Sequence, residues 1–246
     1  MAVTKPKKAV RKSTRVNYGS HIVRLKVGTG DRLLNIHEDL LCANSRFFRQ
    51  LLQKHRKEIV GECSICHEDL DSEVNNITFC RAKCGQNIHV TCIDRWQASR
   101  PNDTTCPMCR VPWKKQENVY PVSTTAGLDP RAVQLYIRWL YSEGCLKIND
   151  DLEDDLCFYD DLFNVYLLKA LMVAYKLEDD GFKKAVLTAI FDESTEDLGE
   201  ASVKYVFNDI NNYMLQDLVL CLFMTQITTG WFTDESSGFP DAFVKE

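Results

Sequence analysis

Residues 63–109 read CSICHEDLDSEVNNITFCRAKCGQNIHVTCIDRWQASRPNDTTCPMC. In that stretch Cys63, Cys66, Cys80, Cys84, His89, Cys92, Cys106 and Cys109 fall as four close pairs. A structural Zn²⁺ takes four Cys or His ligands in a tetrahedron, and a close pair can be delivered from one knuckle of backbone. Eight ligands in four pairs imply two zinc ions, and the fold of this stretch is built around them.

Outward from the ligands, both flanks carry the patterns of one ordinary α+β domain. His21–Val27 alternates, with Val23, Leu25 and Val27 on one face and Arg24 and Lys26 on the other, as a half-buried strand requires. Gly28-Thr29-Gly30-Asp31 supplies a turn, and Leu34 and Ile36 continue the alternation in a partner strand. Ser45 is placed to cap a helix in which Phe47, Phe48, Leu51 and Leu52 recur at helical spacing. On the far side, Val119-Tyr120-Pro121-Val122 reads as an edge strand, and Asp129-Pro130 as a helix start, because aspartate caps while proline fits the first helical position. Val133, Tyr136, Ile137 and Leu140 make one face of that helix, and Gly144 is placed to end it. Two further stripes follow, Phe163, Tyr166, Leu167, Leu171, Ala174 and Tyr175, then Phe182, Ala185, Val186, Ala189 and Ile190. Both are core positions, not a cofactor box.

The first flank, SHIVRLKVG with LLNIHEDLLCANSRFFRQLL, resembles the opening of a BTB (POZ) domain, with its strand pair, strand-ending His37 and Ser45-x-Phe47-Phe48 helix. The second flank, VYPVSTTAGLDPRAVQLYIRWLYSEGCL, resembles the middle of the same fold, ending in Trp139-Leu140-Tyr141. One departure stands out: His21 occupies the place just before the first strand where such domains commonly carry aspartate. The resemblance implies an α+β, BTB/POZ-like domain split by an inserted zinc module. The expected boundaries are a basic disordered tail at 1–18, halves at 19–60 and 117–193, the zinc finger at 61–116, and a C-terminal helical extension and tail at 194–246. A small module stapled by two ions can fold as a unit inside a surface loop.

The ligand order, four Cys, one His and three Cys, suits a PHD finger as well as a variant RING, so other residues must decide. PHD fingers usually carry tryptophan two positions before the seventh ligand, and that position is Thr104. Ile65 inside the first pair, Trp96 four residues after the sixth ligand, and Cys106-Pro107-Met108-Cys109-Arg110 at the end resemble a RING. The commoner RING spacing would put Gln86 on a metal position, and Cys80, ahead of Cys84, restores the count as in a RING subset. By resemblance to the RING cross-brace, one zinc takes Cys63, Cys66, His89 and Cys92, and the other Cys80, Cys84, Cys106 and Cys109. His67 adjoins Cys66 but is surplus to the eight ligands and reads as solvated; His21, His37 and His55 read as structural or surface residues.

Members of the RING family hold a ubiquitin-charged conjugating enzyme so that a substrate lysine attacks the thioester. Such catalysis is non-covalent and positional, and lowers the entropic part of the barrier. It accords with the lack of any evident nucleophile constellation or glycine-rich phosphate loop. The resemblance assigns Ile65, Trp96 and Pro107 to the apolar patch that receives the conjugating enzyme, and Arg110 to the catalytic cation bridging that enzyme and ubiquitin. Each also has a plain role, packing for the three apolar residues and surface charge for the arginine. The BTB-like part implies self-association as a homodimer, or partner binding, a cullin scaffold included. The alternative is a non-catalytic BTB adaptor or transcriptional scaffold with a structural, protein-binding zinc finger.

Composition sets the outer limits. The chain has 246 residues, 45% hydrophobic and 26% charged, the profile of a globular protein of one or two domains. No signal-peptide run and no stretch approaching 18 uninterrupted apolar residues is present, so secretion and a membrane span are not expected. The expected compartment is the cytoplasm, the nucleus or both. The net charge of −5 conceals an asymmetry: Lys5, Lys7, Lys8, Arg11, Lys12 and Arg15 precede the first acidic residue, Asp31, whereas Asp150 to Asp161 is an acidic loop. The basic arm is a candidate import signal or a solvated terminus, and nucleic acid is not an expected partner. Of eleven cysteines, the four outside the zinc pattern, Cys42, Cys145, Cys157 and Cys221, sit among apolar neighbours and are expected to be buried free thiols. From 197 onward, Val203, Tyr205, Val206, Ile210, Tyr213, Leu215, Leu218, Leu220, Leu222 and Phe223 mark a helical segment expected to pack on the core or extend a partner surface, before an irregular Gly238-Phe239-Pro240 end.

Overall fold

The computed structural model describes residues 18–28, 33–72, 74–100, 103–114, 119–120, 127–148, 161–193, 199–210 and 212–226. The basic residues Lys5 to Arg15, the turn beyond Gly28, Pro121-Val122, the acidic loop with Cys157, and the Gly238-Phe239-Pro240 end lie outside them. The chain separates into two compact units, Ile22–Lys54 with Glu117–Glu246, and Met1–His21 with His55–Gln116.

In the first unit β1 (Ile22–Lys26) lies between two partners. It runs antiparallel to β2 (Leu33–His37), with Ile22 opposite His37 and Lys26 opposite Leu33, and parallel to the short β5 (Val119–Tyr120). The alternation has the expected outcome: Val23, Leu25, Val27 and Ile36 are buried and Arg24 is exposed. Pairing of β1 with β5 joins segments on either side of residues 61–116, and one hydrophobic cluster draws side chains from both, Val23, Leu41 and Phe48 with Val133, Tyr136 and Leu171.

Helices α1 (Glu38–Asn44) and α2 (Arg46–Leu52) meet at Ser45. Its Oγ accepts from the Phe48 N–H at 3.1 Å and donates to the Leu177 carbonyl at 2.6 Å, so the buried serine both caps α2 and ties the end of α5 (Asp161–Leu177) to it. Helix α4 (Pro130–Tyr141) starts where the Asp-Pro signal put it: Asp129 Oδ1 accepts from Arg131 and Ala132 at 2.9 and 3.2 Å. Past its end Gly144 takes the left-handed φ of +82° and its N–H reaches back to the Trp139 carbonyl at 3.1 Å. On α6 (Asp180–Glu193) Phe182 and Ile190 are buried, and Phe182 meets the Tyr136 and Trp139 rings at 5.0 and 5.3 Å. Tyr136 donates to Asp179 Oδ2 at 2.9 Å, while Asp179 Oδ1 accepts from the Phe182 N–H. Burial pushes both groups upward in pKa, Tyr136 with the Asp179 charge adding to the effect. His37 has a structural role, its Nδ1 lying 2.7 Å from the Tyr141 hydroxyl.

The C-terminal segment forms α7 (Glu200–Lys204), a π-helical turn at Tyr205–Ile210, and α8 (Tyr213–Gln226). Val203, Val206, Phe207, Leu215, Val219 and Leu222 join the main core, so this extension packs on it. Tyr213 does not, being 76% exposed. The cysteine expectation needs a correction. Cys42 is buried, but Cys145 and Cys221 are exposed. Cys145 follows the turn that ends α4, and Cys221 lies between buried Val219 and Leu222 on the other face of α8. Apolar neighbours in sequence are not neighbours in space on a helix of 3.6 residues per turn.

The second unit holds β3 (Ile77–Phe79) and β4 (Asn87–His89), an antiparallel hairpin with Ile77 opposite His89, followed directly by α3 (Val90–Ala98). Leu70, Ile88 and Ile93 form one buried cluster with the ligands Cys63 and Cys92, with Ile59, Ile65, Trp96 and Trp113 packed partly buried around them, and Phe79 of β3 is buried as well.

Candidate metal centre

Two knuckles of the same backbone design deliver two ligand pairs. In the first, the Cys63 N–H donates to the Glu68 carbonyl at 2.8 Å, the His67 N–H donates to the Cys63 carbonyl at 2.9 Å, and Glu62 bridges Asp69. In the second, Cys106 donates to Val111 at 2.9 Å, Arg110 to Cys106 at 3.0 Å, and Thr105 bridges Pro112. The residue that closes each knuckle is left-handed, His67 at φ +62° and Arg110 at φ +61°.

The β3–β4 hairpin delivers the other two pairs. Cys80 follows β3 and Cys84 lies in the turn, which closes through Gly85 N–H to the Cys80 carbonyl and Cys80 N–H to the Gln86 carbonyl, both 3.1 Å. His89 ends β4 and Cys92 stands in the first turn of α3. One hairpin therefore serves both sites, one ligand pair from its turn and the other from its far end. The donor atoms gather into two groups, Cys63, Cys66, His89 and Cys92, and Cys80, Cys84, Cys106 and Cys109, each with all atoms within 4.8 Å of one another. This is the interleaved division the sequence resemblance implied. His67 is exposed and belongs to neither group.

The spacings fit zinc. Zinc–sulfur bonds of about 2.3 Å in a tetrahedron set sulfur–sulfur edges at about 3.8 Å. Cys80 and Cys109 Sγ stand 3.8 Å apart, and Cys84 and Cys106 Sγ 3.7 Å, far beyond a disulfide bond of about 2 Å. In the other group Cys66 Sγ lies 3.3 Å and Cys92 Sγ 3.9 Å from His89 Nδ1. His89 Nε2 lies 3.1 Å from the Asp69 carbonyl, which fixes the proton there and leaves the Nδ1 lone pair facing the sulfurs. These are two zinc sites, one of three cysteines and a histidine and one of four cysteines.

Backbone donors prepare the thiolates unequally. Burial raises the Cys63 thiol, yet the N–H groups of Cys66, His89 and Ile65 outweigh it and bring the pKa to about 7. For Cys80 burial is likewise opposed, by the Lys83 and Cys84 N–H groups, leaving it at about 6. Cys92 is pushed up to about 11 and Cys106 to about 12, burial first and the neighbouring sulfurs next. Within the folded module the backbone therefore favours the thiolate at Cys63 and Cys80, and burial disfavours it at Cys92 and Cys106.

Gln86, where a ligand is commoner, accepts from Lys57 Nζ at 3.1 Å. The arm before the first knuckle is built into the same corner: Lys57 N–H donates to the Gly85 carbonyl at 3.0 Å, and buried Asn87 donates through Nδ2 to the Lys57 and Glu58 carbonyls at 3.0 and 3.1 Å. A side chain at Gly85 would collide with the His55 carbonyl, its Cβ 1.4 Å away, so this left-handed position tolerates only glycine. None of these contacts has a motif in the sequence, since they form between residues about thirty positions apart.

The four residues assigned by resemblance can be placed, Ile65 in the first knuckle, Trp96 on α3, and Pro107 and Arg110 in the second knuckle. Ile65 and Trp96 are half-buried against the module core, Pro107 is half-buried, and Arg110 is exposed. The Arg110 guanidinium carbon lies 5.9 Å from the centre of the Trp96 ring. Sequence reading missed two neighbours. Met108 is 53% exposed, and Arg100 lies over the Trp96 ring at 4.1 Å. The four-residue step from Trp96 to Arg100 past the end of α3 was the signal available for the second.

Residues 61–110 match the ring finger domain family. Over 77 residues, 31% of this chain and 28% of the relative, the chain is 33% identical to the RING-H2 finger protein ATL5 of Arabidopsis thaliana. It is 37% identical over 59 residues, 23% of this chain, to the probable E3 ubiquitin-protein ligase XERICO of the same plant, and 39% identical over 61 residues, 22% of this chain, to the human E3 ubiquitin-protein ligase ZSWIM2. The chain spans 32% of XERICO and 10% of ZSWIM2, so it covers about a third or less of each of these relatives. No solved structure matches. The module is a RING-type zinc finger, similar to those of ubiquitin ligases.

Proposed function

We propose that this chain is a RING-type ubiquitin ligase that binds a ubiquitin-charged conjugating enzyme and promotes transfer to a substrate lysine. The observation that carries the reading is the grouping of half-buried Trp96 with exposed Arg110 beside the Cys106–Cys109 knuckle. With Ile65 and Pro107 it supplies an apolar patch and an adjacent cation, and aromatic side chains anchor interfaces well. The ligase names of the relatives matched over this module support the same reading.

The two zinc ions supply shape when bound, and the chemistry rests with the chain. Ile65, Trp96 and Pro107 receive the conjugating enzyme. Arg110, whose planar fork suits two carbonyl acceptors, bridges that enzyme and ubiquitin and holds the thioester in a reactive pose. The flanking unit, with its β2-β1-β5 sheet and helical cover, serves as a BTB-like platform for self-association or for a partner such as a cullin scaffold. Dimerisation would raise the local concentration of RING modules.

The test is self-ubiquitination with a panel of conjugating enzymes, comparing wild type, Ile65→Ala and Arg110→Ala at equal zinc content. Activity in the wild type, lost in both variants, is expected. Zinc-loaded wild type that neither works with nor binds any charged enzyme would leave the non-catalytic adaptor reading. Sedimentation equilibrium of the full chain tests the platform, a monomer throughout counting against self-association.

A further inference from the structure

Two cations lie near the Trp96 ring. Arg100 lies over its ring at 4.1 Å and Arg110 at 5.9 Å, within the range of cation–π attraction. The backbone that carries Arg100 is pinned by the end of α3: its N–H donates to the Gln97 carbonyl at 3.1 Å, its carbonyl accepts from Asp103 at 2.9 Å, and Ser99 Oγ donates to the Trp96 carbonyl at 2.8 Å. Both guanidinium groups belong to exposed residues, and neither forms an ion pair among the described residues. The Trp96 indole Nε1 is buried without an acceptor among the described residues, so packing and the stacked arginines hold the ring.

We propose that Arg100 determines specificity at this patch by selecting conjugating enzymes that present a carboxylate beside their apolar docking residues. The inference rests on the ligase reading above and deepens it. A partner that covers Trp96 also strips water from the guanidinium stacked on it. A guanidinium buried without a partner is costly, whereas a carboxylate opposite it forms a charge-assisted, bidentate pair. Stacking holds the planar group in place beforehand, so little side-chain freedom is lost when the pair forms. A docking loop that is neutral leaves Arg100 unsatisfied, and a basic one adds repulsion, which is how charge gives selectivity more than affinity. Arg100 acts in recognition and Arg110 in the transfer step.

The experiment takes one conjugating enzyme active with the wild type and three forms of it, carrying Asp, Asn or Lys at one exposed position next to its apolar docking residues. Dissociation constants and single-turnover transfer rates are measured for the full chain as wild type, Arg100→Gln and Arg100→Glu, with two zinc ions per chain required of each. Wild type is expected to rank Asp over Asn over Lys, with about tenfold between the ends, in line with interfacial charge pairs. Arg100→Gln should flatten the ranking and Arg100→Glu invert it, in the dissociation constants first. An active wild type whose ranking survives Arg100→Glu overturns the inference alone. A wild type inactive with every enzyme overturns the ligase reading, and this inference with it.

Discussion

The two units of this chain are held together by different means. The flanking unit has a continuous core running from Val23 and Phe48 through Tyr136 and Leu171 to Val219 and Leu222. The zinc module has Leu70, Ile88 and Ile93, and the other two members of its buried cluster, Cys63 and Cys92, are themselves ligands. Burying a large apolar side chain stabilises by roughly 1.5–3 kcal/mol, so these three and buried Phe79 cannot offset the ordering of some fifty residues, at about 1 kcal/mol or more each. The module must take its stability from metal. The flanking unit has a far larger buried cluster, and none of its members is a zinc ligand.

Chelation is the largest way to break this contrast. Structural zinc sites contribute about 10–16 kcal/mol at neutral pH, and the β3–β4 hairpin serves both ions. Excess chelator, or Cys106→Ala alone, should therefore release both zincs and unfold the module, while the helical circular dichroism of α4, α5 and α6 persists. One zinc remaining in Cys106→Ala would show that the sites are separable. The affinity should also depend on pH. Protons compete with metal for thiolates, and because the metal-free module is unfolded, its cysteines return to the ordinary thiol value of about 8.5 and must lose protons to bind zinc near pH 7.5. Affinity thus rises with pH up to that thiol value and levels off above it, as competition with a chelator of known affinity will measure.

The converse perturbation belongs to the other unit. Phe182 is fully buried against both the Tyr136 and Trp139 rings, and Phe182→Ala should cost about 3–5 kcal/mol in denaturant unfolding of the flanking unit. Zinc content should not change. A milder test is Asp129→Ala, which removes the cap of α4 and a partly exposed contact to Lys169 at 3.2 Å. About 1 kcal/mol is expected, from the cap rather than the ion pair.

The same contrast explains what could be read in the sequence. Ligand chemistry is local and discrete, so eight residues were enough to give both zinc groups and their interleaving once the cross-brace resemblance was recognised. The strand alternation, the Ser45 and Asp129 caps and the apolar stripes were legible because each is a short-range pattern with a physical cause. What remained hidden is long-range or depends on which way a helix faces. Nothing marked the arm at 55–58 as part of the zinc corner, because Asn87 finds the Lys57 and Glu58 carbonyls only after folding. Cys221 reads as a buried thiol from its apolar neighbours, but it is exposed on α8, as is Tyr213.

The smallest expected change in stability gives the sharpest functional contrast, and it lies within the zinc module, between its two knuckles. His67 and Arg110 close equivalent turns at φ +62° and +61°, each donating its N–H to the first cysteine of its pair. Glycine is at ease in that conformation where other residues are strained. His67→Gly and Arg110→Gly should therefore both fold with two zincs, at a stability equal to the wild type or higher by up to about 1 kcal/mol. If the knuckles were only metal clasps, the two variants would also behave alike with a charged conjugating enzyme. If Arg110 positions the thioester, Arg110→Gly should lower ubiquitin transfer by at least about tenfold, as loss of orientation does. His67→Gly should leave transfer untouched. Equal transfer by both variants would remove Arg110 from the catalytic role, and because backbone relief is the same in each, no difference in folding could be blamed for the result.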